Sequence, residues 1–116
     1  MAIAITAITG CTGNQPLPDP LAAGWDGQKV CENLYENRSQ RILRCTFPPG
    51  VGHERHFHAP HYGYILRGGG MQIRDENGTR EVTIRKDRDF SSDGISWHEV
   101  LNVGETTVVV LIIEGK

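Results

Sequence analysis

The stretch GVGHERHFHAPHYGYILRG, residues 50–68, contains four of the five histidines of this chain. They are His53, His56, His58 and His61, and the fifth histidine is the distant His98. Side chains alternate between the two faces of a β-strand, so His56 and His58 would point the same way and could bind one ion. On a helix the same two side chains would diverge by about 200°. The spacing therefore predicts a strand that carries part of a metal site.

The competing interpretation is a set of solvated surface histidines that bind nothing. Imidazole is the commonest protein ligand for zinc, iron, copper and nickel, and this chain concentrates a scarce residue type in one stretch. We therefore favour the metal site. Strand alternation places His53 and Arg55 on the opposite, solvent-facing side. It places Glu54 on the side of His56, at the mouth of the site.

Length, charge and composition limit the fold and the partners. A chain of 116 residues forms one domain with a single core. The net charge of −2, without a run of Lys or Arg, argues against nucleic acid and anionic membranes as partners. No segment reaches the roughly 20 apolar residues that span a bilayer. A count of 14 glycines and a hydrophobic content of 38% suit short strands joined by tight turns.

Short apolar-rich runs bounded by turn residues recur along the chain and predict β-strands. They cover residues 30–36, 41–47, 55–58, 62–66, 71–74, 80–85, 98–103 and 106–113. Asn77 and Gly78 predict a hairpin with a type I′ turn, which needs positive φ at both positions. The last run is nearly continuous in apolar residues and predicts a buried closing strand. Many short strands at regular spacing predict an all-β antiparallel sandwich or barrel.

The N-terminal 26 residues are predicted to form an arm, and the folded domain is predicted to cover residues 27–116. Residues 8–11, ITGC, resemble the cleavage box of a bacterial lipoprotein signal, but no positively charged segment precedes them. Two interpretations stay open. A truncated signal predicts a periplasmic protein or one anchored through Cys11, and an ordinary N-terminal strand predicts a cytoplasmic one. The proline-rich residues 15–20 predict an extended segment.

Two of the three cysteines are placed for a cross-strand pair. Cys31 and Cys45 are symmetric about Arg38, so a hairpin centred there would put them directly opposite each other. An exported protein could join them in a disulfide, whereas two buried free thiols are usual in a cytosolic chain. None of the cysteines has the Cys-x-x-Cys spacing of a metal site.

Residues 30–114 resemble the cupins, small β-barrels with a jelly-roll topology. Gly50, His56 and His58 match the spacing of the first cupin motif in full, and His61 stands one residue early in the place of the motif's glutamate. His98 with Asn102 matches the end of the second motif. The proline and glycine of that motif are not matched, because Asp93 stands at the proline position and Gly94 is one residue out of register.

The resemblance implies that His56, His58 and His98 bind a divalent metal inside the barrel. We expect His61 as the fourth ligand, with Tyr62 as the alternative if the longer motif spacing applies. If His61 faces the interior, then Gly63 and Ile65 do so too, and the missing side chain of Gly63 would leave room beside the metal. Imidazole ligands favour Fe, Mn, Ni, Cu or Zn over Mg or Ca.

The resemblance also implies two classes of function. The first is a metal-dependent enzyme, dioxygenase-like or of a related metal-assisted chemistry, that acts on a small oxygenated organic molecule. The second is a non-catalytic module that binds or senses a small molecule. Small cupin-like barrels often dimerise, so we expect a homodimer in which residues before Gly27 pack on the neighbour.

Two further residues, Trp97 and Asn102, each have two possible roles. Trp97, beside His98, could pack at the rim or at an interface, which we favour, or could stack on a substrate. Asn102 could orient a metal ligand, or could satisfy backbone groups near the end of its strand.

Overall fold

The structure is a computed structural model that describes residues 16–116. This range contains eleven β-strands and no helix. The strands are β1 (Gly24–Trp25), β2 (Gln28–Lys29), β3 (Cys31–Glu36), β4 (Gln40–Phe47), β5 (Gly52–His58), β6 (His61–Arg67), β7 (Gly69–Asp75), β8 (Gly78–Ile84), β9 (Asp89–Ser92), β10 (Ile95–Asn102) and β11 (Val108–Gly115). The lipoprotein-like box at residues 8–11, with Cys11, lies outside the described residues. Residues 16–116 include no helix that is long and apolar enough to cross a membrane.

Two antiparallel sheets form the body of the molecule. One has the strand order β5-β10-β7-β8 and the other the order β3-β4-β11-β6-β9, and β1 and β2 make a separate small hairpin. The predicted all-β jelly-roll fold is confirmed, although the two sheets are not joined by hydrogen bonds into a closed ring. The space between the sheets, called the interior below, holds both the hydrophobic core and the histidines.

The core forms because the central strand of the larger sheet, β11, alternates strictly between buried and partly exposed residues. In β11, residues Val108, Val110 and Ile112 are buried, and the residues between them are partly exposed. The strand pairs with β4 on one side and with β6 on the other, so it is central and buried as its apolar composition predicts. Opposite it in β4, Leu43 and Phe47 complete the apolar layer.

The strict alternation fails in β5, and this overturns the prediction for His53. Glu54 and Arg55 are both exposed, whereas His53 and His56 are both buried. The pairing of β5 with β10 shifts by one residue here, which is a β-bulge. The extra residue turns His53 back towards the interior, so its prediction as a solvent-facing side chain is wrong. Glu54 points to solvent and is not at the mouth of the site.

The hairpin at Asn77 and Gly78 is confirmed, but its predicted turn type is wrong. Asp75 pairs with Gly78, so the two loop residues are Glu76 and Asn77, and neither has a positive φ. Gly78 has a φ of +112°. The backbone N–H of Asn77 donates to the Asp75 carboxylate over 2.9 Å. This local hydrogen bond fixes the turn one residue earlier than the Asn-Gly signal suggested.

Cys31 and Cys45 lie directly opposite each other on β3 and β4, as the hairpin symmetry predicted. They form a disulfide in this structure. Both residues are buried at the edge of the core.

The C-terminal part of the predicted arm is attached to the sandwich. The Pro18 carbonyl accepts a hydrogen bond from the Phe57 N–H over 3.1 Å. Asp19 forms an ion pair with Arg41 at 2.7 Å, and Pro20 is fully buried. The predicted boundary at residues 26 and 27 falls in the turn of the β1–β2 hairpin. This segment supports the histidine region, as shown below.

Candidate metal centre

Strand pairing brings three histidines to one point of the interior. His56 and His58 lie on β5, and His98 on β10 is the direct partner of His56. The Nε2 atom of His56 lies 3.1 Å from that of His58 and 3.0 Å from that of His98. One nitrogen from each ring lies within 4.8 Å of the other two. We call His56, His58 and His98 the histidine triad.

The triad is oriented by the bulge beside it. The Nδ1–H of His56 donates to the backbone carbonyl of Glu54 over 2.6 Å. This fixes the tautomer, because a neutral imidazole with a proton on Nδ1 carries its lone pair on Nε2. The bulge thus aims an electron-donating nitrogen of His56 at the other two rings. Metal-ligating histidines are commonly oriented in the same way.

The spacing of the triad fits a metal ion. Two nitrogens that each lie about 2.1 Å from an ion, at right angles to one another, are about 3.0 Å apart. The two Nε2 separations from His56, 3.1 Å to His58 and 3.0 Å to His98, have this value. The Nδ1 of His58 is buried and has no hydrogen-bond partner among the described residues, which costs stability if nothing binds the ring. An all-imidazole donor set fits a transition metal better than Mg or Ca.

Burial keeps the triad neutral. Burial, with a smaller contribution from the nearby His56, lowers the pKa of His58 to about 2 and that of His98 to about 3. The pKa of His56 itself is lowered by the same burial. Charged imidazolium cannot bind a metal, so these shifts leave the lone pairs available at neutral pH.

His61 faces the same interior from the other sheet. Ala59 and Pro60 form the corner between β5 and β6, so the chain crosses from one sheet to the other and residue 61 begins a new strand. His61 is buried, its ring centre is 4.6 Å from that of His58, and its Nδ1–H donates to the Ala59 carbonyl over 2.8 Å. Its lone pair is therefore on Nε2. His61 is not part of the triad, so its role as fourth ligand stays a prediction.

The alternation along β6 agrees with the prediction, with one difference. Tyr62 is on the outer face, where its hydroxyl donates to Asp89, so it is not available as the alternative ligand. Gly63 faces the interior, but the ring of Phe90 fills the space that its missing side chain leaves. A Cβ on Gly63 would overlap the tip of that ring. The prediction of free room beside the metal is therefore wrong.

His53 packs behind the triad. Its ring centre is 3.8 Å from that of His56, and its Nε2–H donates to the Pro20 carbonyl over 2.9 Å. Burial, with a smaller contribution from His56, lowers the pKa of His53 to about 4. The N-terminal segment thus holds His53, and His53 packs against a triad ring. Strand alternation alone did not predict this arrangement, because it assumes a regular strand. The buried position of His53 depends on a β-bulge, and a single sequence does not reveal a bulge.

A cavity of about 600 Å³ opens from the triad to the surface. His58, His61 and His98 lie at its inner end, and its walls are mostly aliphatic. The wall residues include Ile65, Ile73, Val82, Ile84, Ile95 and Ile112. Its charged lining residues are Asp75, Arg80, Arg85 and Arg88, none of which stood out in the sequence. Arg85 and Arg88 lie in the loop between β8 and β9, where the direction of a side chain cannot be predicted from strand alternation. A cavity of this size suits a small organic molecule.

Trp97 and Asn102, for which the sequence left two roles open, both have structural roles. The guanidinium of Arg55 lies over the Trp97 ring at 3.9 Å, a cation–π contact on the outer face of the sheet. Trp97 does not line the cavity and is not a stacking platform for its contents. The side-chain amide of Asn102 donates to the carbonyls of Phe47 and Thr106, and its oxygen accepts from the Gly104 N–H. Asn102 satisfies backbone groups and holds no metal ligand.

Comparisons with known proteins identify the fold. The sequence matches no protein-family model and no curated protein. Among solved structures, a cupin domain from Bordetella pertussis Tohama I is 19% identical with a TM-score of 0.69, covering 88% of this chain and 98% of that one. A predicted oxalate decarboxylase from Thermotoga maritima is 22% identical with a TM-score of 0.55, covering 74% and 79%. The polyketide cyclase RemF from Streptomyces resistomycificus is 17% identical with a TM-score of 0.57, covering 73% and 63%.

Proposed function

We propose that this chain, which has a cupin fold, binds a divalent transition metal through His56, His58 and His98, with His61 as the fourth ligand. The metal is Fe, Mn, Ni, Cu or Zn, in keeping with the nitrogen donors. The observation that carries the proposal is the convergence of the triad, with Nε2 separations of 3.0 and 3.1 Å. The same contacts are within hydrogen-bonding distance between neutral rings, so metal analysis separates a bound ion from a histidine hydrogen-bond cluster.

We further propose that the protein is an enzyme, dioxygenase-like or of a related metal-assisted chemistry, that acts on a small oxygenated organic molecule. When bound, the metal would act as a Lewis acid, and a set of neutral imidazoles leaves its positive charge undiminished. The cavity beside the triad gives a substrate access to this point. Two proteins of similar fold are described as a predicted oxalate decarboxylase and a polyketide cyclase, which supports an enzymatic role.

Other groups of the chain would orient the histidines and hold the substrate. The backbone carbonyls of Glu54 and Ala59 hold His56 and His61 in the tautomer that a metal requires. The aliphatic walls of the cavity exclude water and orient an apolar part of the substrate. Phe90, whose ring lies edge-on to His61 at 5.9 Å, narrows the cavity beside that histidine.

A second candidate function is a binding or sensing module without catalysis. Within residues 16–116, the only carboxylate that lines the cavity is that of Asp75, and it is paired with Arg80 at 3.1 Å. Among the described residues, the cavity therefore offers no unpaired carboxylate as a general acid or base. A metal-loaded protein that binds its ligand without turnover would assign this second function.

We also propose a homodimer. The edge strand β3 of the larger sheet exposes Leu34 and Tyr35, which are 43% and 53% exposed. An uncovered edge strand with large apolar side chains favours association with a second copy. Sedimentation at micromolar concentration should give the mass of two chains, and a monomer would reject this part of the proposal.

Elemental analysis of the purified protein tests the metal site. We expect about one transition-metal ion per chain in the wild-type protein, and a loss of most of it in His56→Ala and in His98→Ala. Trp97→Phe is the matched control, because this residue neighbours His98 in sequence but lies on the outer face. Folded variants that keep a full complement of metal would overturn the proposal.

A further inference from the structure

We infer that the mouth of the cavity binds the anionic group of an organic acid through Arg85 and Arg88. This inference deepens the proposed function, because it names the substrate class of the same cavity. The ligand would be a small molecule with an apolar body and a carboxylate, lying with its anionic end at the arginines and its other end towards the histidines.

The two arginines lie in a loop that hydrogen bonds fix in place. Residues 85–88 connect β8 to β9. The Asp87 N–H donates to the Ile65 carbonyl over 2.8 Å, and the Ile65 N–H donates to the Arg88 carbonyl over 2.9 Å. The Tyr64 hydroxyl donates to the Asp87 carboxylate over 3.2 Å. The loop is therefore fastened to β6, the strand that begins with His61.

The charges of the cavity are unbalanced in favour of cations. Arg80 is paired with Asp75, and that aspartate is the only acidic residue that the described part of the chain contributes to the lining. No carboxylate among residues 16–116 lies within 4 Å of the guanidinium of Arg85 or Arg88. The whole chain has a net charge of −2. Two unpaired cations at the mouth of a cavity attract anions locally in a protein that otherwise repels them.

The shape of the cavity selects an organic acid over a simple ion. The cavity that the arginines and the histidines line has mostly aliphatic walls, formed by residues such as Ile65, Val82 and Ile84. An inorganic anion would leave this apolar surface in contact with water. An organic acid would cover it with its apolar body while a guanidinium binds its carboxylate with two parallel hydrogen bonds.

The test compares benzoate with its neutral isostere benzamide and with acetate, which lacks the apolar body. Backbone NMR titrations of the full chain would give the three dissociation constants. We expect benzoate to bind about fivefold or more tightly than either of the others, as one charged hydrogen bond contributes about a factor of ten or more when it is not screened by solvent. Equal affinity for benzoate and benzamide would overturn the inference.

Two variants assign the effect to the two arginines. Arg85→Ala/Arg88→Ala should lose the preference for benzoate over benzamide. Lys86→Ala removes the same kind of charge from the same loop, but Lys86 does not line the cavity, so the preference should remain. Arg85, Arg88 and Lys86 are all exposed, so both variants should stay folded. An unchanged preference in the double variant, or an equal loss in Lys86→Ala, would contradict the inference.

The same titrations on protein stripped of metal separate this inference from the proposed function. We expect the benzoate preference to persist without metal, because it depends on the arginines. If the histidines bind no metal at all, the preference is still expected. A preference that appears only in metal-loaded protein would assign carboxylate recognition to the metal and overturn the inference.

Discussion

His98 and His56 lie directly opposite each other on neighbouring strands, and their Nε2 atoms are 3.0 Å apart although 42 residues separate them in the chain. Their meeting depends on the register of β10 against β5, which shifts by one residue on each side of this pair. The two irregularities leave the pair itself in register. The candidate site is therefore a product of strand pairing, and its geometry is as rigid as the sheet.

The first prediction concerns His61. Replacing it in His61→Ala should weaken metal binding at least about tenfold, because one of four proposed ligands is lost. Competition with a chelator of known affinity measures this change, with Tyr62→Phe as the control on the opposite face. An unchanged affinity beside a large loss in His98→Ala would assign the site to three histidines.

Acid should destabilise the metal-free protein. Burial lowers the pKa of His58 to about 2, that of His98 to about 3 and that of His53 to about 4, whereas an unfolded histidine titrates near 6.5. Below pH 6.5 the unfolded state binds more protons than the folded state, so the free energy of unfolding falls with falling pH. Each histidine that stays neutral contributes a slope of up to about 1.4 kcal/mol per pH unit between pH 6 and its folded pKa.

Urea unfolding at pH 7, 6 and 5 measures this slope. A His98→Gln variant, which lacks one of the low-pKa groups, should show a shallower dependence than the wild-type protein. A free energy of unfolding that stays constant from pH 7 to pH 5 would contradict the burial of neutral histidines.

The disulfide should stabilise the fold. The disulfide between Cys31 and Cys45 closes a loop with a sequence separation of 14. A disulfide that closes a loop of this length adds about 3 kcal/mol to the free energy of unfolding, because it restricts the unfolded chain. Cys31→Ala/Cys45→Ala should lose about this amount in urea unfolding. The wild-type protein in a strong reductant is the matched control. Identical unfolding curves for oxidised and reduced wild-type protein would show that the bond contributes nothing.

The contact between Gly63 and Phe90 gives a further prediction. In Gly63→Ala the new methyl group would meet the Phe90 ring, so the ring must move, at a cost of about 1 to 3 kcal/mol in stability. The same substitution in a Phe90→Ala background should cost less, because the obstructing ring is absent. A double-mutant cycle of thermal unfolding measures the coupling. Additive effects would contradict the contact.

Much of the fold could be predicted because its signals are local. The alternation in β6 placed His61 and Tyr62 on opposite faces, and the symmetry about Arg38 paired Cys31 with Cys45. These features depend only on strand periodicity and on one short hairpin. The shared face of His56 and His58 follows from the same rule, since the irregularity between their pairs adds its extra residue to β10 and not to β5.

The rest depends on contacts between distant segments. The bulge that turns His53 inward exists because β5 pairs with β10, and the Pro20 carbonyl that His53 binds lies in a segment predicted to be an N-terminal arm outside the folded domain. The Phe90 ring that fills the space beside Gly63 comes from β9. None of these partners is encoded by local periodicity, so each required the folded structure.

The most direct test of the central claim is a crystal structure of the metal-loaded protein, with anomalous scattering measured at the absorption edge of the bound metal. We predict one peak in the interior, about 2.0 to 2.2 Å from the Nε2 atoms of His56, His58 and His98. An anomalous peak elsewhere, or the absence of a peak in protein that carries one metal per chain in solution, would contradict the account.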